Sequence, residues 1–231
     1  MQKASLKGRE SSETILHHLD DDILLSYAAG TLEEGWSIAV ATHLSLCPAC
    51  RSRLETFESL GGVLLEEEQK TPEVRSDAHW AELMQRIEAG EVDDVVAFRR
   101  QPSRDPLLPE PLYSYVERAG GLKWRNFGFG AAQMIVPTDD PTTTVRLLKI
   151  PAGRPVPEHT HTGTELTLVL DGSFSDEVSA FRRGDIEIAD GNLMHTPKAD
   201  PGRDCICLAV TDAPLKFSSR FMKFLQRFLK I

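Results

Sequence analysis

Between residues 14 and 92 the apolar positions recur three and four apart, which is the period of amphipathic helices. Ile15, Leu16 and Leu19 lead into Asp20-Asp21-Asp22, a run suited to cap and charge a helix start. Ile23, Leu24, Tyr27 and Ala28 then form the apolar face of a first helix, and Gly30-Thr31 reads as its stop followed by a new N-cap. A second helix is predicted through Trp36, Ile38, Ala39, Val40 and Leu44. A third carries Leu54, Phe57, Leu60 and Leu64. A fourth carries Ala78, Trp80, Leu83, Met84 and Ile87 with Ser76 as its cap. Short helices of this kind are marginal alone, so packing or a metal must hold them.

The pattern changes between Phe98 and Pro111, where Arg99, Arg100, Pro102, Ser103, Arg104, Pro106 and Pro109 make a polar, proline-punctuated stretch of linker character. Beyond it the signal is of strands. Thr142–Ile150, Glu165–Leu170, Asp185–Ile188 and Cys205–Val210 are short β-branched or alternating runs, with turns expected at Asp171-Gly172 and Gly184. Many short strands with Gly and Pro turns predict a sandwich or barrel. The tail has Phe221, Phe224, Leu225, Phe228 and Leu229 at helical spacing, beside Arg220, Lys223, Arg227 and Lys230. It is expected to pack against the barrel, and Trp80 and Trp124 are expected in the core.

Composition narrows the function. A net charge of -9 and 7% aromatic residues argue against direct nucleic-acid binding, which needs clustered Lys and Arg or stacking platforms, and favour a basic partner. No apolar run reaches the length of a membrane span, and the polar start, Met1 to Gly8, is unlike a signal peptide, so a cytoplasmic protein is expected. The 4 cysteines fall as two close pairs, Cys47/Cys50 and Cys205/Cys207. In a reducing compartment such pairs point to metal or redox chemistry more than to structural disulfides.

His43, Cys47 and Cys50 read H-x-x-x-C-x-x-C, with Pro48 fit to open a new helix. Offsets of four and seven residues fall on one helix face, so the three side chains can converge. A closed structural zinc site needs a fourth ligand, for which His17 and His18 are the nearest candidates. A redox C-x-x-C is disfavoured because no thioredoxin-like βαβ context surrounds it. A lesser reading makes Cys47 and Cys50 a switch that releases zinc on oxidation.

A second constellation runs from Gly153 through His159, His161 and Glu165 to Gly172, as G-x5-H-x-H-x3-E-x6-G. Residues i and i+2 of a strand share a face, so both histidines can point into a barrel, with Glu165 entering from the next strand. The run resembles the first cupin motif at every defined position. Gly184 and His195 match the second motif, where Asp190, Asn192 and Ala199 replace its Pro, second Gly and Asn. Three histidines and a carboxylate suit zinc or another first-row transition metal. Cys205 and Cys207 share a strand face and are expected to be buried rather than to act as oxidation sensors.

An upstream His before H-x-x-x-C-x-x-C is the signature of zinc anti-sigma factors. His17-His18, Tyr27 to Leu32 and Val40 to Cys47 resemble the ChrR type, as do Glu165–Leu170, Gly184–Asp190, Asp204–Ala209 and Thr211–Leu215. The resemblance implies His18 as the fourth ligand. It implies two domains: an all-α zinc-binding anti-sigma domain over 1–95 and, after a linker over 96–112, an all-β cupin barrel (a double-stranded β-helix) over 113–231. It further implies a non-enzymatic inhibitor of an extracytoplasmic-function sigma factor that responds to singlet oxygen or an organic hydroperoxide. The metal ligands on this reading are His18, His43, Cys47 and Cys50, then His159, His161, Glu165 and His195. The rival is a metal-dependent cupin dioxygenase with a helical zinc domain for docking.

Overall fold

The computed structural model describes residues 14–68, 77–90, 105–128 and 130–217. The expected cap Ser76, most of the linker and the Phe-rich part of the tail lie outside them. An extended segment, 14–20, leads into α1 (Asp21–Ala28). Asp20 occupies the N-cap position, but its side chain makes no capping bond. Gly30, at φ 68°, ends the helix as the sequence predicts. Thr31 is not the next cap. Its hydroxyl donates to the Ser26 carbonyl instead, and α2 (Glu34–Leu46) starts behind Glu33. Pro48 opens α3 (Pro48–Glu68), which at 21 residues is no short helix. α4 (Asp77–Glu88) follows.

The expected linker is packed at its C-terminal end. Leu108 is 2% exposed and Leu112 is fully buried at the start of α5 (Leu112–Arg118), because both fill apolar space beside α2 and the sheet. The strands are β1 (Arg125–Gly128), β2 (Ala131–Val136), β3 (Thr144–Ile150), β4 (His159–His161), β5 (Glu165–Asp171), β6 (Ser173–Ser175), β7 (Ala180–Arg182), β8 (Ile186–Ala189), β9 (Lys198–Ala199), β10 (Cys205–Thr211) and β11 (Leu215–Phe217). Six form an antiparallel sheet in the order β1-β2-β3-β10-β5-β8, facing a pair, β4-β11, and a trio, β7-β6-β9. Asp171-Gly172 makes no hairpin: β6 pairs with β7 and β9, so the chain turns a corner between sheets there. Gly172, at φ 68°, lies against the Asp204 backbone, and a Cβ would collide with it.

β5, paired on both edges by β10 and β8, is buried on both faces, with Leu166, Leu168 and Leu170 on one and Thr167 and Val169 on the other. Leu166, Leu168 and Leu170 of β5, with Leu208 and Val210 of β10, join one buried cluster with Leu24, Ile38, Val40 and Leu44 of the helices. The alternate residues, Glu165, Thr167, Cys205 and Cys207, face the barrel cavity. α2 is thus buried nearly all round, between the other helices and the sheet. At its start the Glu34 carboxylate accepts from the Asp139 and Asp140 amides and from the Tyr115 hydroxyl. Trp124 packs against the shared cluster, whereas Trp80, expected in the core, is 65% exposed on α4. Among the described residues no helix is long and apolar enough to cross a membrane.

Candidate metal centres

The first centre forms where three elements meet. His18 comes from the extended segment, His43 from the last turn of α2, Cys47 from the α2–α3 junction and Cys50 from the first turn of α3. One ligand atom from each lies within 4.8 Å of all the others. His18 Nδ1 is 3.3 Å from Cys47 Sγ and 3.6 Å from Cys50 Sγ. The junction has a physical cause. Cys47 takes extended backbone angles at the C-cap of α2, and Pro48 restarts the helix in a new direction, so both thiols turn toward His43. His17 and His18 diverge. The His17 ring meets Ser179 Oγ at 2.9 Å and packs on Phe181, while His18 faces the cysteines.

His43, Cys47 and Cys50 are buried, and polar atoms among them lack partners. His43 is fully buried, and neither ring nitrogen has a hydrogen-bond partner. Burial lowers its pKa to about 4, against an opposing pull from the nearby Gly184 carbonyl. Burial likewise raises the Cys50 thiol. Orphaned imidazole nitrogens beside two buried thiols are costly as they stand, and match the donor set of a tetrahedral structural zinc.

The second centre lies inside the barrel. His159 and His161 point inward from β4, and His195 reaches them through an antiparallel bridge to His159. A ring nitrogen from each lies within 4.8 Å of the other two. His195 Nε2 is 3.3 Å from His161 Nε2. His159 Nδ1 lies 2.9 Å from the Pro157 carbonyl, which leaves Nε2 to face the centre. Burial lowers His159 and His161 to about 4, so both are neutral ligand forms near pH 7.

Glu165 stands beside this trio rather than within its tight cluster. Its Oε2 is 3.6 Å from His161 Nδ1, and Oε1 accepts from the Thr167 hydroxyl. Burial raises its pKa. Two carboxylates that sequence reading missed complete the surroundings. Asp176 Oδ2 is 2.9 Å and Glu187 Oε1 3.5 Å from His195 Nδ1. Burial lowers the pKa of His195, but these two carboxylates outweigh it and raise it to about 8. Glu187 had a signal: it is the acid on the inward face of the Asp185–Ile188 alternation. Asp176, in the loop after β6, had none.

His159 and His195 open on a cavity of about 90 Å³ lined also by Arg146, Glu187, Cys205 and Cys207. The two thiols are free, buried and 3.4 Å apart. The bond to Cys205 and burial raise the Cys207 thiol well above its usual range, which disfavours the reactive thiolate.

Known proteins share this architecture. Residues 115–214 match the ChrR cupin-like domain. The anti-sigma-E factor ChrR of Cereibacter sphaeroides is 48% identical over 221 residues, which span 94% of this chain and 100% of that protein. The crystal structure of Rhodobacter sphaeroides SigE in complex with the anti-sigma ChrR superposes with a TM-score of 0.73 at 47% identity, covering 86% of this chain and 100% of that one. A regulator this similar along its whole length sets aside the dioxygenase reading. With its helical and cupin halves in the same order, the chain belongs to the ChrR family of anti-sigma factors.

Proposed function

We propose that the protein holds an extracytoplasmic-function sigma factor through its helical half and frees it under oxidative stress sensed by the cupin half. The inducing species on this reading are singlet oxygen and organic hydroperoxides, and the protein works in the cytoplasm, where its partner meets RNA polymerase. The observation that carries it is an apolar face left open on α3 and α4. Leu60, Val63, Leu64, Leu65, Trp80, Leu83 and Ile87 are each between 45% and 65% exposed. Positions 80, 83 and 87 lie on one stripe of α4. An open apolar set of this size on a soluble chain marks a surface for another protein. The family member crystallised with SigE supports a sigma factor as the occupant, and the net charge of -9 suits a partner with basic DNA-binding surfaces.

Zinc at His18, His43, Cys47 and Cys50 would staple three elements that are otherwise joined by side-chain packing and by the bonds of Arg51 and Arg53 to the Leu44 and Leu19 carbonyls. In the cupin, His159, His161 and His195, with Glu165 alongside, would hold zinc or another first-row metal. Bound there, the metal supplies a Lewis-acidic or redox centre at the wall of the cavity. The chain's own groups do the rest. Pro157 and the Asp176–Glu187 pair orient two of the rings, and the apolar lining of the cavity admits a small, weakly polar oxidant.

The test is recovery of the tagged full-length protein from its native host, with mass spectrometry of what accompanies it. A sigma factor is expected with the wild type and is expected to be missing with Cys47→Ser. A folded, zinc-loaded wild-type chain that brings down no sigma factor would sink the reading.

A further inference from the structure

Asp185 is a buried carboxylate, 2% exposed, that belongs to neither metal centre. It stands in the turn before β8. Its Oδ1 accepts from the amides of Leu16, at 2.6 Å, and His17, at 2.9 Å. Its Oδ2 accepts from the Arg182 amide at 2.8 Å and lies 3.6 Å from His17 Nδ1. The next residue continues the clasp, since the Ile186 amide donates to the His17 carbonyl. Segment 14–20 has no helical or strand pairing of its own. Its backbone is therefore held from the other half of the chain at residues 16 and 17, just before His18, while Arg53 of α3 holds the Leu19 carbonyl just after it. The same turn is wedged against the rest of the cluster. A side chain at Gly184, which sits at φ +89°, would overlap Ile15 and touch Leu46, the neighbour of Cys47.

A ligand on an irregular segment is only as well placed as the groups that fix that segment. We propose that Asp185 is a positioning residue for the four-ligand cluster, holding the 16–17 backbone from the cupin side so that His18 faces Cys47 and Cys50. The inference rests on the metal reading of that cluster. It assigns a residue of the cupin half to the construction of the helical half's centre.

The experiment uses the zinc-loaded full chain and two readouts: amide hydrogen exchange at Leu16 and His17, and the rate of iodoacetamide alkylation of Cys47 and Cys50 by peptide mapping. Asp185→Ala is expected to speed both by about 10–100-fold, the range that follows from losing hydrogen bonds to a charged acceptor. Cys205 and Cys207, buried in the barrel, should react at the wild-type rate. Asp185→Asn keeps an oxygen for the two amides but sets an NH2 against the Arg182 amide and loses the carboxylate charge beside His17, so it should restore part of the protection. Wild-type alkylation of Cys47 and Cys50 in Asp185→Ala overturns the proposal, as does an Asp185→Asn chain no better protected than Asp185→Ala.

If Asp185→Ala also exposes Cys205 and Cys207, the barrel has opened, and Leu16→Pro decides. That change deletes one of the two donors from the exposed side and leaves Asp185 in place. Faster alkylation then supports the proposal and an unchanged rate overturns it. A wild-type chain whose Cys47 and Cys50 bind no zinc is a failure of the metal reading. Exchange at residues 16 and 17 separates that failure from a failure of the clasp.

Discussion

His195 offers its two ring nitrogens to different neighbours, Nε2 to His161 and Nδ1 to Asp176. A carboxylate on the far nitrogen fixes the tautomer and the ring plane, and strengthens the near nitrogen as a ligand. Asp176→Ala should therefore lower cupin metal affinity by about 10–100-fold, read by competition with a chromophoric chelator. Equal affinity in the two proteins would remove Asp176 from the centre. The three histidines were legible in the sequence because a strand puts residues two apart on one face, and the motif spacing marks His195. Asp176 was not legible, since only closure of the barrel brings a loop residue 19 positions away against that ring. Glu165 was legible as a cavity residue, while its distance from the trio depends on where β5 lies against β4. In the helical half spacing alone left His17 and His18 open, because both precede the same helix, and the family resemblance pointed to His18. The cupin surface takes one and the cysteines take the other.

At the scale of elements, α2 is the piece whose surroundings decide its sequence. Gly35 lets its first turn sit on β3, where a Cβ would overlap the Thr143 side chain that is hydrogen-bonded to Asp140. Replacing a helix glycine with alanine is worth about 1 kcal/mol in propensity. Overpacking a filled contact costs about 1–3 kcal/mol. Gly35→Ala is therefore expected to lower stability on balance, and a thermal melt of the full chain that rises would refute the contact. The outer helices invert the argument. Trp80 and Leu83 touch water, so Trp80→Asp and Leu83→Glu should change stability by no more than about 0.5 kcal/mol. At a binding surface a buried Trp is worth about 2 kcal/mol or more, so both changes should weaken sigma-factor binding at least about tenfold. Calorimetric titration reads the difference, and wild-type affinity in both would move the interface elsewhere. The positions of α1 to α4 were legible from period, whereas α5 was not and begins inside the expected linker. What period could not give was the partner of each face: an exposed stripe and a core stripe share one pattern, which is why Trp80 was misplaced. The short strands β6, β7 and β9 were hidden for a related reason. Each is only two or three residues long and is fixed by pairing across the barrel.

At the scale of the whole molecule, the two halves share one buried cluster, with Leu24, Ile38 and Val40 of the helices packed with Val145, Leu166 and Leu208 of the sheet. Hydrogen bonds also join them, at Glu34, at Asp185 and between His17 and Ser179 among the described residues. Glu34 binds the β2–β3 turn, and Asp185 binds the segment before His18. β8 runs from the second of these into the cupin cavity. Asp185 and Ile186 hold residues 16 and 17, and Glu187, next in line, faces His195. A change at the barrel centre thus has a contiguous and short path to His18, through a strand rather than through the solvent-facing helices. Such a path counts as coupling only if perturbing one end is read at the other. The full-length His159→Ala/His161→Ala chain, which leaves His195 and the β8 contacts in place but removes two cupin ligands, provides the perturbation. Its amide exchange at Leu16, His17 and Ile186 is expected to rise severalfold over the wild type. Exchange along α4 should stay the same, because that helix has no comparable tie to the barrel among the described residues. Identical exchange at all three amides would mean that the cupin centre acts on the partner without passing through β8. A uniform rise that includes α4 would mean general loosening rather than a directed path.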